Sequence, residues 1–412
     1  MKLLCLSNGH GEDAIALRIL RALRHRADLE GRVADIVALP LVGEGHAYSQ
    51  SGIPVIGPVK RLPSGGFVYM DGRQFAKDLR GGLLQLTLSQ LRVVRKWAKQ
   101  GDLILAVGDL VPLLFAWWSG APYAFVGTAK SEYYLRDEVG LLPRASWFER
   151  LESWSGSVYL PWERWLMGRP RCRAVFPRDS LTSEVLSRWK LPVHDLGNPM
   201  MDDLEPMGID FAIPDEALVV TLLPGSRVPE AYRNWETLLD GAQSLVTTLD
   251  RPVTFLAAIA PYLDLAILHQ ALQSRGWHLT TPAPVPPLAY RQDQATLLLT
   301  TAFNSCVNRA DLAMAMAGTA TEQVVGLGKP ALIFAGEGPQ FTPAFAEAQT
   351  RLLGPSVIWV EPPSRAAEIV RSLLKDPDRL QLIAENGRRR MGLPGASDRI
   401  AACLLDCLRA RG

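Results

Sequence analysis

The chain has 412 residues, 48% of them hydrophobic and 21% charged, with a formal net charge of +2. That length exceeds one ordinary core and implies two domains of roughly 200 residues each, while the near-neutral balance supplies no overall field for nucleic acid or an anionic membrane. The five cysteines (Cys5, Cys172, Cys306, Cys403, Cys407) are odd in number, scattered and without metal-ligand spacing, which fits a reducing cytosol and gives no metal site.

In chain order, Met1 to Leu6 is too short for a secretory apolar region before it meets Ser7-Asn8-Gly9-His10-Gly11, and reads as a first buried strand, Lys2–Leu6. Further strands are expected at Val33–Ala38, Leu103–Val107, Tyr123–Val126, Ala174–Phe176 and His194–Leu196, with helices near Asp13–His25, Leu83–Lys99 and Ser180–Trp189. Glycine and proline crowd Val42 to Arg80, which reads as excursions around a binding cleft. Leu110 to Ala129 carries no charged side chain and is long enough to span a membrane. Pro112, Gly120 and Pro122 interrupt it, so it reads as a buried strand-helix-strand stretch.

The segment Trp147 to Arg173 is dense in tryptophan and arginine (Trp147, Arg150, Trp154, Trp162, Arg164, Trp165, Arg169, Arg171, Arg173). Two readings stand: a headgroup-level membrane contact, or, for Tyr159 to Met167, an internal packing and salt-bridge element. Asn198-Pro199, Pro206, Gly208 and Pro214 mark a boundary, after which strand and helix alternate again. Strands are expected at Ala217–Leu223, Val253–Ala257, Thr296–Leu299, Leu312–Met316, Ala331–Ala335 and Val357–Val360. The helices between and after them are Tyr232–Leu249, Tyr262–Arg275, Glu322–Leu327, Arg365–Lys375, Asp378–Arg390 and Ser397–Arg411, and Thr281 to Pro287 reads as a surface connection. The alternation makes the fold class α/β, with parallel sheets covered by helices.

Two strand-to-helix turns in the second half carry the strongest chemical signal. Thr221-Leu222-Leu223-Pro224-Gly225-Ser226-Arg227-Val228-Pro229-Glu230 and Ala317-Gly318-Thr319-Ala320-Thr321-Glu322-Gln323 each bring backbone amides to a helix start, where a diphosphate binds. Gly225, Ser226, Arg227, Gly318, Thr319, Ala320, Thr321, Glu322 and Gln323 are the candidate nucleotide-binding residues. The Thr-Ala-Thr-Glu run is expected to cap its helix, and Glu322 to accept from vicinal hydroxyls.

In the first half, Asn8, Gly9, His10, Gly11, Glu12 and Asp13 lie between the first strand and helix, where open α/β sheets bind ligands. They lack the third glycine of a dinucleotide fingerprint, which disfavours a nicotinamide enzyme. His10 reads as an acceptor-binding group or proton shuttle, or else as a loop histidine bonded to backbone. Asp109 reads equally as a general base entering apolar surroundings, with a raised pKa, or as a helix N-cap. No serine-hydrolase elbow and no P-loop is present.

With these motifs in place, the chain resembles lipid-A-disaccharide synthase over nearly its whole length, and more closely the lipid-A-disaccharide-synthase-related proteins of cyanobacteria and plastid-bearing organisms. The carriers are Leu223 to Glu230, Ala317 to Glu322, Gly197-Asn198-Pro199-Met200-Met201-Asp202, Ala124-Phe125-Val126-Gly127-Thr128-Ala129-Lys130-Ser131 and Tyr159-Leu160-Pro161-Trp162-Glu163-Arg164-Trp165. The resemblance implies a GT-B fold: two Rossmann-like domains facing across a cleft, residues 1–200 on the acceptor side and 201–390 holding the nucleotide-sugar. It also implies that residues 391–412 form a last helix packing back on the first domain. It implies an inverting glycosyltransferase, without metal or cofactor, moving a sugar from a UDP-sugar (UDP-acylated glucosamine or UDP-N-acetylglucosamine) to a lipid-linked or lipid-like saccharide. Asp109 or His10 would be the base, and Asn8, Gly9, Gly11, Glu12 and Asp13 would line the acceptor side. The synthases carry Ser-Gly-Glu-x-Ser-Gly-Asp in the first loop and Gly-His-Pro before the linker, so the acceptor half is altered here while the donor half is kept. A cytoplasmic location is expected, associated with the inner face of a membrane through peripheral contact, with no nucleic-acid partner. A UDP-sugar 2-epimerase-like isomerase and a non-catalytic nucleotide-sugar-binding protein are the alternatives.

Overall fold

Four apolar residues in succession, Leu3 to Leu6, suit a strand covered by helices on both faces, and in the computed structural model all four are fully buried in β1 (Lys2–Ser7). The structure describes residues 1–9, 11–60, 83–143, 150, 153–280, 287–338 and 341–409. The chain divides into two units, Met1–Asp202 with Leu393–Gly412, and Asp203–Gly392.

The first unit continues from β1 through α1 (Gly11–Leu29), β2 (Asp35–Pro40), α2 (His46–Gln50), α3 (Leu83–Trp97), β3 (Leu103–Gly108) and α4 (Leu110–Ser119). It then runs through β4 (Tyr123–Gly127), α5 (Pro161–Met167), β5 (Cys172–Phe176) and α6 (Ser180–Ser187). Its described strands form one parallel sheet in the order β2-β1-β3-β4-β5. Strand order reverses between β1 and β3, the place where an open sheet leaves a crevice at the strand carboxyl ends. The stretch read as strand-helix-strand holds a helix, α4, closed by Gly120 and followed by β4. A strand at His194–Leu196 does not form. Pairing there stops at a single parallel bridge, Val193 to Val175, because Pro192 offers only a carbonyl and Gly197 (φ 86°) turns the chain away.

The second unit contains β6 (Leu218–Leu223), α7 (Glu230–Thr248), β7 (Val253–Ala258), α8 (Leu265–Gln273), β8 (His278–Leu279), β9 (Leu288–Gln292), β10 (Ala295–Thr300) and α9 (Phe303–Arg309). There follow β11 (Leu312–Ala315), α10 (Thr319–Gly326), β12 (Ala331–Ile333), α11 (Pro343–Leu353), β13 (Val357–Trp359), α12 (Ala366–Leu374) and α13 (Pro377–Met391). The sheet order is β13-β12-β11-β6-β7-β10-β9-β8, parallel from β13 to β10. The edge strands β9 and β8 are antiparallel additions. Sequence reading missed them because β8 spans only two residues; within β9, Leu288 and Tyr290 alternate inward while Arg291 faces out. Here the order reverses between β6 and β11.

The last helix, α14 (Ala396–Arg409), belongs to the first unit, where Ile400, Ala401, Leu404 and Leu405 are buried and the helix packs on α1. Burying each such large aliphatic side chain is worth about 1.5–3 kcal/mol. Its start is held by Asp202, which accepts from Gly395 N (2.5 Å), Ala396 N (3.2 Å) and Ser397 N (2.7 Å). Arg399 adds a bond to Leu196 O at 2.9 Å. The Gly197 to Asp202 segment therefore anchors the terminal helix.

Candidate functional site

The turn Pro224 to Arg227 leaves β6 at its carboxyl end and leads into α7. Gly225 has φ 86°, and a Cβ on it would lie 3.1 Å from Met316 O, so a left-handed backbone and a close approach both call for glycine. The approach exists because β11 pairs directly with β6, Ala315 opposite Leu223, which sets the turn before Thr319 beside the turn after Leu223. Asn234, in the second turn of α7 and buried, ties them together: Nδ2 donates to Pro224 O at 3.0 Å and to Met316 O at 3.2 Å. Two helix starts thus open side by side at the reversal of strand order, where positive helix ends attract an anion.

The expectation that Thr-Ala-Thr-Glu caps α10 fails. Gly318 is the N-cap and no side chain caps it; Thr321 is buried inside the first turn, where its hydroxyl donates back to Ala317 O at 2.5 Å. Among the described residues no side chain accepts from the Thr319 and Ala320 amides at the start of α10, the state in which a helix start receives a phosphate. Thr319 is exposed, Ala320 half-buried, and Glu322 and Gln323 are buried in the helix. Ser226 is exposed and Arg227 half-buried, and the Arg227 carbonyl accepts from Ala231 N at 2.7 Å.

Three further side chains shape this region. Glu230 is buried and its Oε1 accepts from Phe341 N (2.8 Å), fixing the segment after β12 to the start of α7. Tyr262 donates to Ser226 O at 2.8 Å. Gln349 reaches Gly318 O at 3.4 Å from α11. Of these and Asn234, Glu230 closes the turn motif read from the sequence, and Asn234 is visible there as a polar residue on the otherwise apolar face of Ala231, Trp235 and Leu238.

In the first unit, Asn8 and Gly9 follow β1, while Gly108 ends β3 and Asp109 follows it, again flanking the reversal of strand order. A Cβ on Gly9 (φ 96°) would meet Val42 O at 2.4 Å, so the turn excludes any side chain there. The Asn8 amide lies beside Gly108, 3.3 Å from the position of a Cβ. His10 lies outside the described residues. Gly11 and Glu12 open α1, and Glu12 N donates to Gly9 O at 3.2 Å.

Asp13 ends a buried relay: Tyr48 OH donates to Ser7 Oγ (2.7 Å), and Ser7 Oγ donates to Asp13 Oδ1 (2.6 Å). Burial raises the Asp13 pKa to about 6, against the opposing pull of the Ser7 and Gly9 hydrogen bonds. Ser7 and Tyr48 were not anticipated, since nothing local links residues 7 and 48.

Asp109 is the N-cap of α4: Oδ1 accepts from Val111 N at 2.9 Å, and the residue is half-buried. Its second oxygen makes no hydrogen bond among the described residues. Thr128, at the neighbouring end of β4, donates its amide to Gly108 O (3.1 Å), yet its buried Oγ1 has no hydrogen-bond partner among the described residues.

The runs Ala124 to Ser131 and Tyr159 to Trp165 meet through Lys130, whose Nζ donates to Glu163 Oε2 (2.6 Å) and Val158 O (3.0 Å). Beside it, buried Glu132 accepts from Ser157 Oγ (2.5 Å), Val158 N (3.0 Å) and Arg136 Nε (2.9 Å). The packing and salt-bridge reading holds for Glu163 and Arg164, which turn inward; Trp162 and Trp165 turn outward.

No protein-family model matches the chain. A lipid-A-disaccharide synthase of Syntrophus aciditrophicus (strain SB) is 26% identical over 245 residues, 52% of this chain and 57% of that protein, so the match spans little more than half of each. Among solved structures, CalG4, the calicheamicin glycosyltransferase, superposes with a TM-score of 0.62 at 16% identity over 99% of this chain and 98% of that one. The UDP-GlcNAc 2-epimerase of Neisseria meningitidis bound to UDP-GlcNAc does so with a TM-score of 0.54 at 16% identity, over 98% and 100%. The fold is GT-B, two α/β units each built on a parallel sheet.

Proposed function

We propose that the protein is an inverting glycosyltransferase that moves a sugar from a UDP-sugar to a lipid-linked or lipid-like saccharide. The observation that carries the reading is the pair of uncapped turns joined by Asn234, at the reversal of strand order in a GT-B unit. The starts of α7 and α10, with Arg227, would hold the diphosphate and offset its charge as it departs. On the acceptor side, Asp109 would take the proton of the attacking hydroxyl while the bond from the anomeric carbon to the diphosphate breaks and UDP leaves. Asn8 would orient the saccharide through its polar side chain. The lipid character of the acceptor rests on the partial likeness to lipid-A-disaccharide synthase. No cofactor or metal has a part in this reading.

Incubation with radiolabelled UDP-sugars and a membrane extract tests it. A labelled lipid is the expected product; free sugar, or no product from any donor, refutes transfer. A second reading, epimerisation, draws on the whole-chain likeness to the 2-epimerase. Proton NMR in deuterated water separates them, because only epimerisation places deuterium at the sugar C2 without an acceptor.

A further inference from the structure

α4 and α5 of the first unit turn an apolar face to solvent. On α4, Leu113, Phe115 and Ala116 pack inward, whereas Val111 (38% exposed), Leu114 (42%) and Trp118 (50%) form a stripe at helical spacing on the outside. On α5, Trp162 (52%) and Trp165 (50%) lie three residues apart and also face out. The two faces are joined by Trp117, whose ring lies 5.5 Å from that of Trp165 and 6.0 Å from that of Trp118, both edge-on. Three half-exposed tryptophans in one continuous surface are out of keeping with a face meant only for water.

The charges around this surface select the partner. α4 contains no charged residue, and the two charged residues of α5, Glu163 and Arg164, are buried, Glu163 against Lys130. Two cations stand at its edge: the Arg169 guanidinium lies over the Trp165 ring at 4.5 Å, and Arg171 Nη1 would lie 3.6 Å from a Cβ on Gly120, at the end of α4; a carboxylate, Asp109, caps the opposite end of that helix. An apolar plane, indoles able to donate hydrogen bonds, and bordering guanidinium groups are what a bilayer interface with anionic headgroups receives. Among the described residues no helix is long and apolar enough to cross a membrane.

We propose that the outer face of α4 and α5 seats this protein on the surface of an anionic lipid bilayer. The stripe starts at Val111, whose amide is held by Asp109, so a lipid acceptor lifted from the bilayer would deliver its headgroup to the end of β3. That last step rests on the transferase reading; the docking does not.

Co-sedimentation of the full chain with phosphatidylcholine vesicles, with and without phosphatidylglycerol, tests the docking in the absence of any sugar donor. Wild-type protein is expected to pellet with the anionic vesicles and to be released by salt. Trp118→Ser with Trp162→Ser should lower the bound fraction about ten-fold or more, given the apolar area withdrawn. Arg169→Gln with Arg171→Gln should remove the preference for phosphatidylglycerol. Leu382→Ser, at a half-exposed position of the second unit, should change nothing. If the tryptophan pair unfolds by circular dichroism, Leu114→Glu makes the same test. Wild-type protein that ignores both vesicles, or face variants that bind like wild type, overturn the proposal. So does a dimer in sedimentation velocity that Trp118→Ser dissociates, which would assign the face to a second copy of the chain.

Discussion

Asp13 is held against its own ionisation. Its pKa of about 6 in the fold lies above the ordinary carboxylate value of 3.8, so the folded chain binds more protons than the unfolded one between these values. Stability is therefore highest below pH 4 as far as this group is concerned, and is lost as pH rises through 6. The shift corresponds to a cost on the order of 3 kcal/mol at neutral pH. Asp13→Asn keeps an acceptor for Ser7 and removes that cost, so it should be more stable than wild type in urea at pH 7.5, with the gap closing near pH 4. A variant less stable at pH 7.5 would contradict the assignment. Asp109 is a different case, because one oxygen caps α4 and the other makes no hydrogen bond among the described residues. Asp109→Asn keeps the capping oxygen, so melting and UDP binding should hardly change, while transfer should fall by about 10²–10⁴-fold if the carboxylate is the base. Loss of stability without loss of rate would leave it as a cap alone.

Between elements, the decisive contact is the bridge from α7 to two turns. Asn234→Ala would leave Pro224 O and Met316 O without their donor, at about 1–3 kcal/mol for buried carbonyls. The turns would no longer be held in register, so the thermal stabilisation by UDP should shrink while the circular dichroism spectrum stays that of the wild type. An unchanged UDP shift would place the nucleotide elsewhere. The same logic explains two sequence runs that look unrelated on paper: Lys130 and Glu163 close one ion pair in a nearly dry setting, and removing either partner strands a buried charge.

At the scale of the molecule, the two units have separate sheets and separate cores, and the first is completed by the last helix of the chain, clasped by Asp202. Scanning calorimetry should resolve two transitions. UDP should raise only the one belonging to residues 203–392, by RT ln(1 + [L]/Kd), or about 2.7 kcal/mol at a hundred-fold excess over Kd. Truncation after Gly392 should lower the other, since it uncovers the face of α1 on which Ile400 and Leu404 pack. A ligand effect on the first unit's transition alone would reverse the division of labour.

Much of this architecture was legible in one dimension. Buried parallel strands are apolar at nearly every position and bounded by glycine and proline, so β1, β3, β6 and β11 announced themselves, and the glycine turns after them marked where ligands approach. The edge strands β8 and β9 and the failed strand at His194 were not legible, because their fate depends on partners and not on local pattern. The site shows the same split. Local chemistry determines that Gly225 turns the chain after β6, that Gly318 opens a helix and that Asp109 stands at a strand end. Only the tertiary structure decides that β11 pairs with β6, that Asn234 spans both turns, and that Tyr48 reaches Ser7 and so Asp13. Those contacts join residues far apart in the chain, and strand order, which no local propensity encodes, is what brings them together.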